Sequence, residues 1–261
     1  MKIALPLMAG NLVQTLYNLT DAFFLGKLGS AELSAPTIAF PIIFFLILFG
    51  IGLSMAGTTL IAQSHGKGSR ERVDFYLGQS TTVLLITALL IAAAGIVLSE
   101  PLLKLLQTPQ NVFAFTRDYM LIVFAGLPFM FGFFVMQSAM QGIGRTVVPL
   151  VIQVVTVGLN IALDPLFIFG IGFFPDWGVR GAAVATVIAR AIGSFIAFYI
   201  LIQGRYGMQL KLEHMRPQLQ SVRLFLRIGL PSSFGQAVSA LGFTVLQGLV
   251  NSFGTAVIAA F

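Results

Sequence analysis

The 261-residue sequence contains no cysteine, which excludes disulfides and thiolate metal centres and leaves the redox compartment unreadable. Its two histidines, His65 and His214, cannot assemble a zinc motif. Charge is scarce too. Charged residues make up 9% of the chain, where a soluble domain averages roughly 25%. Apolar residues fill the gap: 57% of the chain is hydrophobic, with 25 Phe, 27 Gly and a mean hydropathy of +0.94. These values exclude an ordinary soluble enzyme and point to a polytopic, all-α membrane protein.

Seven apolar stretches are long enough to cross about 30 Å of hydrocarbon as helices. They lie near 3–26, 36–63, 77–99, 117–141, 146–170, 179–203 and 228–252. The first runs on past Asp21 without a cleavage-like site, so no signal peptide is expected. Pro6, Pro41, Pro128 and Pro231 fall within these spans and are hinge candidates.

Loop charge orients the chain. With the N-terminus inside, ten basic residues are cytoplasmic: Lys2, Lys67, Arg70, Arg72, Arg145, Arg205, Lys211, Arg216, Arg223 and Arg227. Four face outward: Lys27, Lys104, Arg117 and Arg180. This asymmetry predicts a cytoplasmic N-terminus in the cell's inner membrane. It also accounts for the pI near 10, with contacts to anionic membrane lipid but no nucleic-acid partner.

Two aspartates break the apolar pattern. Asp21 is the only charge between Ile3 and Gly26, and Asp164 the only one between Thr146 and Gly170. A charge in hydrocarbon costs roughly 2.5–3.5 kcal/mol on insertion scales, so such residues usually face a cavity and have a task. Tyr17 precedes Asp21 by one turn and Asn160 precedes Asp164 by one turn, so each acid has a polar neighbour on its own helix face. Both acids lie about 8–9 Å inside the outer boundary at 1.5 Å per residue. Tyr119 and Thr186, on inward-running helices, fall near the same level, and Arg190 somewhat deeper. Two matched acids predict a site that takes up a proton or cation, sharing one proton if close, since neighbouring like charges resist ionising together. A second reading stays open for each residue. Asp-Pro at 164–165 also starts turns, Tyr119 suits an interfacial belt, and Tyr17, Asn160 and Thr186 suit helix packing. Arg190 is either a counter-ion lining the cavity or an interfacial residue.

No cofactor motif emerges. HGKGS at 65–69 lacks the preceding glycine and strand of a phosphate loop and reads as a basic turn. GIGR at 142–145 reads as a loop, with Pro149 suited to a helix start.

Residues 3–35 realign with 228–260 at a constant offset of 225, nine identities including Pro6/Pro231 and Gly10/Gly235. Repeated halves are common in secondary transporters. The expected organisation is a six-helix N-terminal lobe over 1–203 and a linker over 204–227, with an amphipathic helix on the membrane surface. The first helix of a second, repeated lobe follows over 228–261. On this reading the rest of that C-terminal lobe is a missing partner, and helix 7 packs loosely on the first six.

The YNLTD stretch ending at Asp21, GKLGSAELSA, QGIGRTVVP, NIALDPLF with Asp164, and GVRGAAVATVIAR together resemble the multidrug and toxic compound extrusion (MATE) family, across essentially the whole chain. The resemblance implies two six-helix lobes and antiport of cationic amphipathic drugs against H⁺ or Na⁺, with no enzymatic activity. It is closest to the DinF-like branch, whose N-lobe cation site carries over onto Asp21, Tyr17, Asn160, Asp164, Tyr119 and Thr186, with Na⁺ an option at Asp21 and Asp164, and whose bending proline falls on Pro6. The other large branch has an essential Glu where this chain has Gln236. Two other activities compete. A lipid-linked oligosaccharide flippase of related architecture would call for a more cationic cavity. An intramembrane aspartyl protease needs two acids on one water, but neither acid here sits in a GxGD-like sequence.

Overall fold

The computed structural model describes residues 4–171 and 175–252, and among these every regular element is helical. In chain order the helices are α1 (Ala4–Leu28), α2 (Ser30–Gly66), α3 (Arg70–Leu105), α4 (Gln110–Gly142), α5 (Val147–Ile168), α6 (Val179–Gln203) and α7 (Leu219–Ser252), with a 3-10 turn at Leu212–Met215 before α7. The all-helical fold is as expected. Of the seven expected spans, α2 to α6 are long and apolar enough to cross a membrane by length and composition. In α1, Asn11, Gln14, Asn18 and Asp21 dilute the hydropathy.

The helices outrun their apolar stretches. α2 and α3 have 37 and 36 residues, roughly 55 Å of helix against about 30 Å of hydrocarbon. A hydropathy window stops at the first charges, whereas backbone hydrogen bonding continues to the next turn at His65–Ser69. There Gly68 adopts a left-handed φ of 69°, so HGKGS is the basic turn expected.

α4 is the central element, packing against α2, α3 and α6, while α1 lies along α5 and α5 along α6. Phe124, Phe131, Met136 and Met140 of α4 are fully buried in the main core. α1 instead exposes Leu5, Met8, Leu12, Leu16, Leu19 and Phe23, an apolar face.

α7 starts at Leu219, nine residues ahead of the predicted span. Val222 and Leu224 pack on the core, and Phe225 is wholly buried, although Arg223 and Arg227 lower the hydropathy. The first half of α7 is also tightly seated, against the expectation of loose packing. At the crossing with α2, Gly52 and Gly229 approach so closely that a Cβ on Gly52 would meet the Gly229 carbonyl oxygen and Ser233. The early start places Pro231 inside α7. Positions 253–261, the end of the repeat, lie outside the described residues.

Of the expected linker, the part before α7 carries the 3-10 turn while 219–227 forms the amphipathic start of α7 itself, and the turn is clamped to α3 by buried polar side chains. The Gln79 amide donates to the carbonyls of His214 (2.8 Å) and Arg216 (2.7 Å) and accepts from Gln218 N–H (3.1 Å). Thr82 Oγ1 donates to Met215 O (2.6 Å), and Asp74 accepts from Gln209 N–H (2.7 Å). Gln79→Leu would strand three backbone groups at once, at roughly 1–3 kcal/mol each. Its expected result is a lower detergent melting temperature together with new protease cleavage between 205 and 218. A variant as stable and uncut as the parent would show that the clamp is dispensable.

Candidate functional site

α1 and α5 run parallel and in register. Gln153 Nε2 donates to Gly10 O at 3.1 Å, and eleven residues further along each helix the Asp21 and Asp164 carboxyl groups come within hydrogen-bonding range of each other. Both pairs are separated by 143 in sequence. Gly10, Tyr17 and Asp21 are spaced by seven and four, as are Gln153, Asn160 and Asp164, which gives each helix one continuous inner face. The acids therefore sit at a common depth.

Five residues close a ring across three helices. The Tyr17 hydroxyl interacts with Asp21 on α1 and reaches Thr186 Oγ1 of α6 at 2.7 Å. Asn160 Nδ2 donates to Thr186 Oγ1 at 3.5 Å and to Asp164 Oδ1 at 3.1 Å. Asp164 then faces Asp21. Asn160 and Asp164 are both 0% exposed, Tyr17 and Thr186 are buried, and Asp21 is half-buried. Pro165 does not turn the chain at this point, because α5 continues to Ile168. Asp164 is thus an interior helical residue rather than part of a loop.

Asp21 Oδ1, Asn160 Oδ1 and Asp164 Oδ2 are buried acceptors that no donor among the described residues reaches. Buried oxygens without donors are costly. With both carboxyls ionised, the facing Asp21 Oδ1 and Asp164 Oδ2 have no donor among the described residues. A single proton between them satisfies both, and a small cation among the three oxygens would do the same.

Tyr119 of α4 lies within electrostatic range of Asp21, Asp164 and Arg190 and packs between the main core and a smaller cluster around Leu25 and Ile168. Arg190, one turn beyond Thr186 on α6, places its Cζ 5.8 Å from the Tyr17 ring centroid and Nη1 3.0 Å from Met130 Sδ. All seven predicted polar and charged residues thus converge on one place. Pro6 does not join them. It lies near the first described residues of α1, beside a cavity of about 430 Å³ lined by Leu5 and by Gly144–Val148, where α4 passes into α5. Gln236 is exposed and, among the described residues, reaches only Met55 Sδ, at 4.0 Å.

Three contributors escape a sequence reading. Gln153 registers α5 on α1, and its signal was present as a lone amide seven residues before Asn160. Met130 has no signal, since a methionine in an apolar span is ordinary. Gly181 of α6 packs on the backbone of Phe167 and Ile168, just beyond Asp164, and only geometry reveals that contact.

Residues 6–166 match the MatE family. The chain is 30% identical over 261 residues to the probable multidrug resistance protein YoeA of Bacillus subtilis, covering 98% of this chain and 56% of that protein. Among solved structures it is similar to an outward-facing multidrug resistance MATE family transporter of the MOP superfamily. The TM-score there is 0.85 at 28% identity, over 97% of this chain and 55% of the other. It is likewise similar to a MATE in the bent conformation, with a TM-score of 0.86 at 27% identity over 98% and 57% of the two chains. This chain spans little more than half the length of each.

Proposed function

The chain belongs to the MatE family of multi-pass membrane transporters, which removes the protease reading, and on that premise we propose that it couples export of cationic amphipathic compounds to inward movement of H⁺ or Na⁺. The observation that carries this reading is the Asp21–Asp164 pair, facing across two parallel helices with buried oxygens that lack donors among the described residues. A cation arriving from outside cancels one of the two facing negative charges and draws α1 against α5. Loss of the cation leaves facing like charges, which push the helices apart. An equilibrium biased in this way can alternate access. Pro6 and the cavity beside it give the far end of α1 room to move, and the positive-inside asymmetry supports a cytoplasmic N-terminus in the cell membrane. A flippase for a diphosphate-linked sugar would need several cations in the cavity, and Arg190 is a single one.

Drug accumulation in cells expressing the whole protein, under imposed proton and sodium gradients in turn, tests the proposal. Efflux should follow one of the two gradients and stop when that gradient is collapsed. Efflux indifferent to both would reject the coupling.

A further inference from the structure

Arg190 is charged, half-buried and poorly partnered. The two other arginines paired across helices each hold an acid: Arg117 holds Glu100 at 2.8 Å and Arg180 holds Asp118 at 2.5 Å. No carboxylate lies within ion-pair distance of Arg190 among the described residues. Its guanidinium, with five donors, rests on a thioether and an aromatic face. Yet it stands over the ring of Tyr17, one turn from Asp21, and among the described residues it is the cation placed to act on Tyr17, Asp21 and Tyr119.

Arginine stays protonated in proteins, and charges out of water must be compensated. Two ionised carboxylates beside one guanidinium leave a single uncompensated negative charge. Without the guanidinium they would leave two. We propose that Arg190 is a tethered counter-ion of the Asp21–Asp164 pair and sets at one the number of external cations the site takes up in each transport cycle.

This inference rests on the coupling role of the acid pair proposed above. The guanidinium lies on Met130 and Tyr17 in the structure, an arrangement that on this proposal belongs to the cation-loaded state. When the cation leaves, its three-methylene stem lets it turn toward the carboxylates and hold one of the two charges until the next cation arrives. The same count applies whether the external cation is H⁺ or Na⁺, since both carry one charge. Arg190 thus acts through the acids as a positioning residue and need not touch the exported compound.

The test is the cation-to-substrate ratio of the whole protein in proteoliposomes. It is read as the proton gradient, or separately the sodium gradient, that just balances an imposed substrate gradient. The parent and Arg190→Lys should both give a ratio of one. Arg190→Met, which keeps the stem and removes the charge, should give two. Arg190→Gln should also give two, and it covers the case in which the methionine variant does not fold. A ratio of one in either neutral variant overturns the proposal, and so does a changed ratio in Arg190→Lys. Recovery of folded protein with lysine but with neither neutral residue also overturns it, because the charge would then serve the fold alone. Gradient-driven export surviving in Asp21→Asn would instead reject the underlying coupling site, whatever the Arg190 variants do.

Discussion

Asp21→Asn should abolish gradient-driven export while leaving substrate binding within a few-fold of the parent. Asparagine matches aspartate in size and can still bond to Tyr17. Its amide can donate to the facing Asp164 carboxyl, which imitates the pair with a shared proton. The variant would therefore be held near the cation-loaded arrangement, and the equilibrium would lose its driver. A ligand shifts a two-state equilibrium only by its differential affinity for the two states, and an amide that cannot titrate gives a proton none. Asp164→Asn should be at least as severe. The sequence alone argues for a milder effect, because Pro165 favours a turn near the surface. In the structure Asp164 is wholly buried in a continuous helix and receives its own bond from Asn160. Gln236→Ala should be close to neutral, since its side chain is exposed and, among the described residues, meets only a thioether. Export rates of the three variants under an imposed gradient decide the matter. Full activity in Asp21→Asn, or an equal loss in Gln236→Ala, would move coupling away from α1.

The acids were legible in the sequence because their signal is one-dimensional. A carboxylate in a span is costly wherever its neighbours lie, and a partner one turn away shares its face on any helix. Depth was legible too, since helices of known rise crossing in the same direction set the level of Asp21 and Asp164 by counting. Lateral arrangement was not. That Thr186 bridges Tyr17 and Asn160 depends on α6 lying against both α1 and α5, and a single sequence does not say which helices touch. The start of α7 was missed for a different reason. Residues 219–227 form amphipathic helix that buries Phe225 while keeping two arginines, and a hydropathy window reads that mixture as linker. The Gln79 clamp escaped because one amide near a helix start carries no sign of the backbone groups it will meet.

Gly181→Ala should cost more stability than any other single added methyl near the site. A Cβ at Gly181 would land on the carbonyl of Phe167, at the C-terminal end of α5, and close to Ile168 N. These are backbone atoms, so no rotamer change relieves the overlap. The same backbone is held from the other side, where Trp177 N–H donates to Phe167 O (3.1 Å), Gly178 N–H to Ile168 O (3.2 Å), and the Trp177 ring stacks on Phe167 at 5.5 Å. α6 must therefore lift away from α5, which stretches the Tyr17–Thr186–Asn160 link and loosens Asp164. Overpacking typically costs about 1–3 kcal/mol where side chains can yield, and a backbone contact belongs at or above the top of that range. Gly158→Ala is the matched control. It lies on the same helix as Asp164, an added Cβ there meets nothing within 4 Å among the described residues, and alanine is favoured over glycine in a helix by about 1 kcal/mol. Thermal unfolding in detergent, followed by the emission of the chain's single tryptophan, reads both effects, since Trp177 reports on the very contact that Gly181 protects. The expected outcome is a melting temperature lowered by several degrees and a red-shifted emission in Gly181→Ala, with no loss in Gly158→Ala. Equal melting of the two variants with unchanged emission would mean that the α5–α6 contact does not set the position of Asp164.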